Sequence, residues 1–465
     1  MAGTAHSYAY LGRSAADPAH RRVGLQTSGG VTVAGPAAHP RFFTGFLAAA
    51  EPAAAGLLAV ANVAQARYFQ PQVAALRDPV VTCNGDRLRF ESFSGCCGVY
   101  ARLDVLSEAL DGEVLDRGTT NVDVNGPLRE ALARIGGADP LHLAVGPDEL
   151  AVTTLDGPVV EKKVPLPERW LRGFAEVQVI AAGFDQRAEL PATEALRFLR
   201  SLPGGARAGG ALWAVPAGRS LRHAARPVPG AVSLPGPQRL EALRPLLRHA
   251  GALRVYGPVV GAASLPVASA WELELRGMRL LLTLSPEPRR GFSGEGAVLD
   301  ALAGDQVEAD ADLVGALLAF EPRVEVDLLA ERSGLPAARV RAALGQLGTA
   351  GRVGFDVAEA AYFHRELPYD AARVERMNPR LGGARALVAA GAVHLDGDLA
   401  TVVVDDRAHR VRFLADGTAA CTCPWWARYR RSRGRCKHVL AAEMARGGEP
   451  AVPGGKAEAT TGGGQ

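Results

Sequence analysis

Lysine is nearly missing from this 465-residue chain: only four of its 52 basic residues are lysine (Lys162, Lys163, Lys437 and Lys456), and the rest are arginine. Arginine is therefore the default cation throughout, and an isolated arginine says little about phosphate recognition. Long apolar runs are missing too, which speaks against a membrane span. The nearest stretch, residues 42–66, is broken by Glu51-Pro52. Arg21-Arg22 is not followed by an apolar segment, so no export signal is read there. Six cysteines are too few for a disulfide scaffold and are spaced as metal ligands, so a reducing cytoplasm is the expected compartment. Enzyme signatures are absent as well. There is no H-E-x-x-H and no G-x-x-x-x-G-K-[ST]. Gly291-Phe292-Ser293-Gly294-Glu295 fails G-x-S-x-G at its last position, and Gly294-Glu295-Gly296 lacks the third glycine of a dinucleotide loop.

What remains is 48% hydrophobic and 22% charged, the profile of a globular chain long enough for three or four domains. With 54 glycines and 31 prolines, many short elements are expected rather than long helices. The net charge of +3 is unevenly placed. Residues 1–320 hold 31 Lys+Arg against 32 Asp+Glu, residues 321–420 hold 13 against 14, and residues 421–465 hold 8 against 3. The positive excess therefore lies wholly at the C-terminal end.

Residues 1–75 read as a leader followed by an Ala/Leu-rich helix over 47–69, weakened at Pro52. A β-rich α/β module follows over 76–205, with strands at 80–82, 87–93 and 99–103. A second α/β module is expected over 206–304, because a motif recurs. Val122-Asp123-Val124-Asn125-Gly126-Pro127 leads into a helix with Leu128, Ala131, Leu132 and Ile135 at helical spacing, then a strand (141–145) and a hairpin at Asp156-Gly157. About 110 residues later Val232-Ser233-Leu234-Pro235-Gly236-Pro237 leads into a helix with Leu240, Leu243, Leu246 and Leu247, a strand (253–256) and a hairpin at Arg276-Gly277. Proline in the first helical turn suits both copies, since its missing N–H would be unpaired there anyway. The two-copy arrangement is similar to clamp-like and other β-α-β modules.

Residues 305–366 read as helix (312–320), helix (327–332), a tight turn at Ser333-Gly334-Leu335-Pro336, helix (337–347) and two short strands (352–357 and 360–364). That order resembles the winged helix-turn-helix superfamily. Its third helix carries Arg339 and Arg341 without an acid, which makes both candidate contacts to DNA or to a protein. After a Gly-containing linker (368–383), residues 384–446 read as a helix and three strands running up to a cysteine cluster. The tail, 447–465, is read as disordered.

The strongest signal is Cys421-Thr422-Cys423, twelve residues, then Cys436-Lys437-His438. Three thiolates and one imidazole match a closed tetrahedral zinc set. Cys-x-Cys is expected to place two sulfurs on one side of an extended strand, Cys-x-His to sit at the start of a helix, and Gly434 to allow the sharp approach to Cys436. Four protein ligands leave no open position for a catalytic water. Cys83, Cys96 and Cys97 have no nearby histidine and read as core residues. The loop between the ligand pairs holds Trp425, Trp426, Arg428, Arg430, Arg431, Arg433 and Arg435, with Lys437 beyond it and no acid. Cations interleaved with aromatics suit a nucleic-acid surface. The same composition also suits tryptophans packed over the metal beneath a solvated arginine loop.

The residues CTCPWW and GRCKHVLAA resemble the SWIM-type zinc finger over roughly 392–446, with all four ligand positions filled. The whole chain is similar to bacterial SWIM zinc finger family proteins. The resemblance implies zinc binding at Cys421, Cys423, Cys436 and His438 and a role in nucleic-acid or protein interaction. It further implies, as partners, MoxR-type AAA+ ATPases and von Willebrand A-domain proteins. The expected fold is thus α+β multidomain: a mixed α/β N-terminal region with a faint internal duplication, a winged-helix-like domain and a C-terminal finger. The expected function is that of a non-enzymatic zinc adaptor contacting DNA or an acidic protein. The alternatives are a protein-interaction scaffold beside an AAA+ ATPase, and an enzyme with an unrecognised site in the N-terminal region.

Overall fold

The computed structural model describes residues 41–69, 79–203, 211–301, 305–367, 379–415, 417–430 and 433–446, together with the backbone of four short strands. Those four, β1 (Ala15–Asp17), β2 (Arg22–Gly24), β3 (Gly30–Thr32) and β4 (Gly35–Ala37), pair as two hairpins. The tail read as disordered, 447–465, most of the linker and Arg431 lie outside the described residues. No described helix is long and apolar enough to cross a membrane.

The N-terminal region repeats one topology. Its first copy runs β5 (Phe43–Leu47), α1 (Ala50–Gln65), β6 (Val80–Cys83), β7 (Leu88–Phe93), β8 (Val99–Val105), β9 (Leu110–Val114), β10 (Gly118–Asn121), α2 (Gly126–Arg134), β11 (His142–Val145), β12 (Glu149–Thr154) and β13 (Gly157–Lys162). After α3 (Glu168–Ala181), the second copy runs β14 (Asp185–Pro191), α4 (Ala192–Ser201), β15 (Ala211–Ala217), β16 (Ser220–Ala224), β17 (Val232–Pro235), a 3₁₀ segment (Pro237–His249), β18 (Ala252–Gly257), β19 (Ser269–Leu275) and β20 (Met278–Leu284). In the first copy β10 lies beside β6, and β11 joins β12 to β5; in the second β17 lies beside β15, and β18 joins β19 to β14. The copies begin at β5 and β14, so residue 205 falls inside the second one.

Strands β8 and β9 are additional to the first copy. Strand β8 pairs with β20 from Val99↔Leu284 to Val105↔Met278, merging both copies into one antiparallel sheet of order β10-β6-β7-β8-β20-β19-β18-β14. The second-copy helix differs from its sequence reading. Residues Pro237–His249 wind as a 3₁₀ helix containing Pro245, which cannot donate to an α-helical ladder. Leu240, Leu243 and Leu246, three residues apart, stack on one buried side, as a three-residue turn requires.

Along β6 to β8 every residue is buried, including those of alternating polarity. Leu88, Phe90, Ala101 and Leu103 join α1 in the main core. The other face carries Arg89, Glu91, Tyr100, Arg102 and Asp104, none more than 4% exposed. What covers it is the winged-helix unit: α5 (Val298–Ala301), α6 (Asp305–Leu317), α7 (Val326–Ser333), α8 (Ala337–Thr349), β21 (Val353–Asp356) and β22 (Ala361–His364). Gly334, in the left-handed region at φ +70°, ends α7 and makes the tight turn.

The β21–β22 wing inserts Asp356 among the arginines of the sheet. Arg102 Nη2 and Arg279 Nη2 each lie 2.9 Å from its carboxylate, and Arg89 Nη2 lies 3.4 Å away. Asp104 shares all three guanidiniums. Arg365, just past β22, donates to Glu91, which also accepts from Tyr100 Oη. The Arg89 guanidinium stacks 3.9 Å from the Phe363 ring.

Helix α3 lies among all these units. The sequence reading assigns no element there, although Trp170, Leu171, Phe174, Val177 and Ala181 recur at helical spacing; the helix also buries the polar Glu176 and Gln178. Trp170 and Phe174 pack on Phe93 and Phe292, while Gln178 donates to the Gly345 carbonyl of α8. A side chain at Gly348 would collide with Gln178. The finger closes the chain: α9 (Pro379–Ala389), then β23 (Val393–Asp396), β24 (Leu399–Val404), β25 (Arg407–Phe413) and β26 (Ala419–Cys421) in one antiparallel sheet, then α10 (Pro424–Tyr429) and α11 (Lys437–Arg446).

Burial pushes the Asp356 carboxyl up, but Arg102, Arg279 and Arg89 outweigh it and hold it well below the usual carboxylate range. Asp356→Asn is therefore expected to cost ~3–5 kcal/mol in urea unfolding, since it leaves three buried guanidiniums sharing mainly the Asp104 carboxylate. A depressed carboxylate stabilises the fold at neutral pH, and that contribution is lost as pH falls below about 4. The wild-type protein should lose stability in that acid range more steeply than the variant.

Candidate metal centre

Strand β26 ends at Cys421, which pairs with Val411 and turns inward with it. The chain then leaves extended geometry: Cys423 caps α10, with Pro424 in the first turn. Cys421 and Cys423 thus approach from a strand end and a helix cap, a correction to the single-strand arrangement expected from Cys-x-Cys. Thr422 between them faces outward and exchanges hydrogen bonds with Arg410. The second pair sits as expected at a helix start, Cys436 just before α11 and His438 in its first turn. Gly434, at φ +68°, makes the turn into Cys436, and a side chain there would strike the Gly296 backbone.

All four side chains are buried, and their ligand atoms lie within 4.8 Å of one another. Cys421 Sγ stands 3.9 Å from His438 Nδ1. The sulfurs are prepared for negative charge: Trp426 N–H donates to Cys423 Sγ at 3.4 Å and Val439 N–H to Cys436 Sγ at 3.5 Å. Hydrogen bonding to its two neighbouring sulfurs pushes the Cys421 thiol up, whereas thiol donation from Cys421 and Cys436 holds Cys423 low. Three sulfurs thus share one favoured thiolate, and a divalent cation among them would displace the remaining protons. Soft donors in a closed set of four fit a structural metal ion.

The aromatic and basic residues near the ligands divide into two groups. Trp426 is buried in the finger core. Trp425 lies between two guanidiniums, Arg380 at 4.6 Å and Arg433 at 5.1 Å. Arg433 donates to the Gly294 carbonyl at 3.0 Å, and Arg435 pairs with Glu443 at 2.6 Å. Arg380, which the sequence reading did not select, donates to the carbonyls of Arg433, Arg435 and Glu295, tying the ligand loop to residues 294–296. Arg428 and Arg430 are exposed, while Lys437 is half-buried with its stem beside Gly383.

The winged helix presents little of its third helix. Residues 343–345 and 347–349 of α8 are buried, partly against α3, and Arg339 makes a bidentate pair with Asp310. Arg341 and Ala338 stay exposed. The missed cations of the finger include Arg410 and Arg412, exposed on β25. Their two-residue spacing on a predicted strand was the available signal.

Glu176 of α3 links this region to the body, accepting the N–H groups of Ala297 at 2.8 Å and Val298 at 3.3 Å. Burial and the nearby Glu295 push its carboxyl up to about 8. A raised carboxylate stabilises the fold in its protonated form, so that contribution is present below its ordinary value of about 4.3 and lost as pH rises through about 8. Thermal unfolding of Glu176→Gln should accordingly show a smaller loss of Tm between pH 5 and 9 than wild type. For the centre itself, Cys436→Ser is expected to lose the metal and unfold residues 393–446 while the two-copy region stays protected from proteolysis. Retention of a full equivalent of metal would contradict the ligand assignment.

Comparison with known proteins agrees with this geometry in two places. The SWIM zinc finger family model matches residues 400–447, and the DprA winged helix domain model matches residues 294–354. No curated protein matches the chain. Among solved structures, the proliferating cellular nuclear antigen of Entamoeba histolytica aligns at 11% identity with a TM-score of 0.35, covering 53% of this chain and 99% of that one. The chain therefore carries a SWIM zinc finger at its C-terminal end, preceded by a winged-helix domain.

Proposed function

We propose that this chain is a non-enzymatic, zinc-holding protein of a reducing cytoplasm that contacts nucleic acid through its finger. Zinc is the ion best suited to three thiolates and an imidazole in a closed site, where it supplies folding energy and offers no position for a reacting water. One observation carries the nucleic-acid reading: Arg428 and Arg430 beside the centre, and Arg410 and Arg412 on the sheet, are exposed and have no carboxylate partner among the described residues. The winged helix supports it by elimination, since α8 is packed inward and Arg339 is occupied by Asp310.

A second reading is an acidic protein partner. It is favoured by Leu395, Leu399 and Val403, which are exposed on the same small sheet.

The test is duplex DNA binding by the zinc-loaded protein, the chelated protein and Arg341→Ala. The expected outcome is binding that weakens at least tenfold on chelation and changes less than twofold in Arg341→Ala. Equal binding with and without zinc would remove the finger from the interaction.

A further inference from the structure

Which part of the finger meets the anion can be taken further, resting on the nucleic-acid reading above. In the finger's sheet, Ala400, Val402, Val411 and Cys421 face the core. The residues between them stand on the opposite face. Register places His394 beside Thr401 and Thr401 beside Arg410. Thr422 continues the line, giving its N–H to the Arg410 carbonyl at 3.1 Å and accepting the Arg410 N–H on Oγ1 at 3.0 Å. One row across the sheet therefore reads imidazole, hydroxyl, guanidinium, hydroxyl, all donors and none acidic.

The adjacent row reads Asp396, Leu399, Arg412, Ala420. Asp396 stands two strands from Arg412, about 10 Å, which is near a Debye length at physiological salt. Asp405 and Asp406 lie beyond the row, in the β24–β25 turn, and Asp398 is paired with Arg446. Arg410 and Arg412 are two residues apart on one strand, about 7 Å along it, so that two like charges face solvent with no carboxylate paired to either among the described residues. Phosphates along a nucleic-acid strand are spaced comparably.

The one aromatic ring on this face among the described residues is the His394 imidazole. Trp425 and Tyr429 are covered by guanidiniums, and Trp426 is in the core. A single imidazole gives no run of rings on which successive bases could stack, the mark of single-strand platforms. We propose that the outer face of the β23–β26 sheet, centred on the row His394–Thr401–Arg410–Thr422 with Arg412 beside it, seats the sugar-phosphate backbone of duplex DNA. Leu399 and Val403 flank the row where sugar edges would lie. Contacts of this kind position a duplex without reading its sequence.

The test measures affinity of the zinc-loaded full chain for two unrelated 20-base-pair duplexes, and for their separated strands, across a salt series. Wild type is compared with Arg410→Ala/Arg412→Ala, Arg410→Lys/Arg412→Lys and Arg428→Ala/Arg430→Ala, and zinc content is checked in each. Each phosphate contact contributes ~0.9 to the slope of log affinity against log salt. The alanine pair on the sheet should therefore shallow the slope by about 1.8 for both duplexes, and the lysine pair should restore it. An unchanged slope in that pair with a reduced one in Arg428→Ala/Arg430→Ala would overturn the proposal and leave the nucleic-acid reading intact. Binding to single strands alone would overturn the duplex assignment. No binding to either form near 50 mM salt would end both, and an acidic protein would become the partner to seek.

Discussion

A carboxylate of the wing, Asp356, held by three sheet arginines, is the interaction on which the arrangement of the whole chain depends. Arg89, Arg102 and Arg279 lie on strands from both copies of the N-terminal repeat, and burying three guanidiniums there without counter-charge would be prohibitive. Asp104 supplies one negative charge from within the sheet and Asp356 supplies another from the winged helix. The sheet's polar face is thus a socket, and the wing fills it. A direct consequence is that the winged helix is seated with α8 against α3, which withdraws its third helix from solvent.

The finger is joined to the same assembly. Helix α3 carries the connection onward. Ala175 packs with Leu381, Leu440 and Ala441 of the finger, and Glu176 holds the turn before Val298. From there Arg380 and Arg433 bind the ligand loop to residues 294–296. Folding of the metal centre and docking of the finger are therefore mechanically linked, because the backbone carrying Cys436 is the same backbone that Arg380 grips. On the sheet face turned away from the finger core, His394, Arg410 and Arg412 are exposed.

Much of the element order was legible in the sequence. The strands of β6 to β8, both hairpin turns and the three helices and wing of the winged-helix unit follow from period-2 and period-3.6 patterning with glycine at the turns. The exceptions have physical causes. Helix α3 carries an apolar stripe from Trp170 to Ala181, but its Glu176 and Gln178 are polar residues that only tertiary packing buries. Pro245 converts an expected α-helix to a 3₁₀ one. The polar residues of β7 and β8 look like a solvent face, and only the arrival of Asp356 from more than 250 residues away explains why they are buried.

The candidate metal site was legible in the sequence alone, because its four donors fall within eighteen residues and soft donors at that spacing admit few other uses. The roles of the surrounding cations were not. Arg433 meets a carbonyl 139 residues distant, Arg339 is taken by Asp310, and Arg380 reaches three carbonyls no local pattern announces. Guanidinium chemistry is the same in each case, whether it clamps a loop or faces water. Which of the two it does depends on the neighbours that tertiary packing brings within about 3 Å, and only the folded chain decides that.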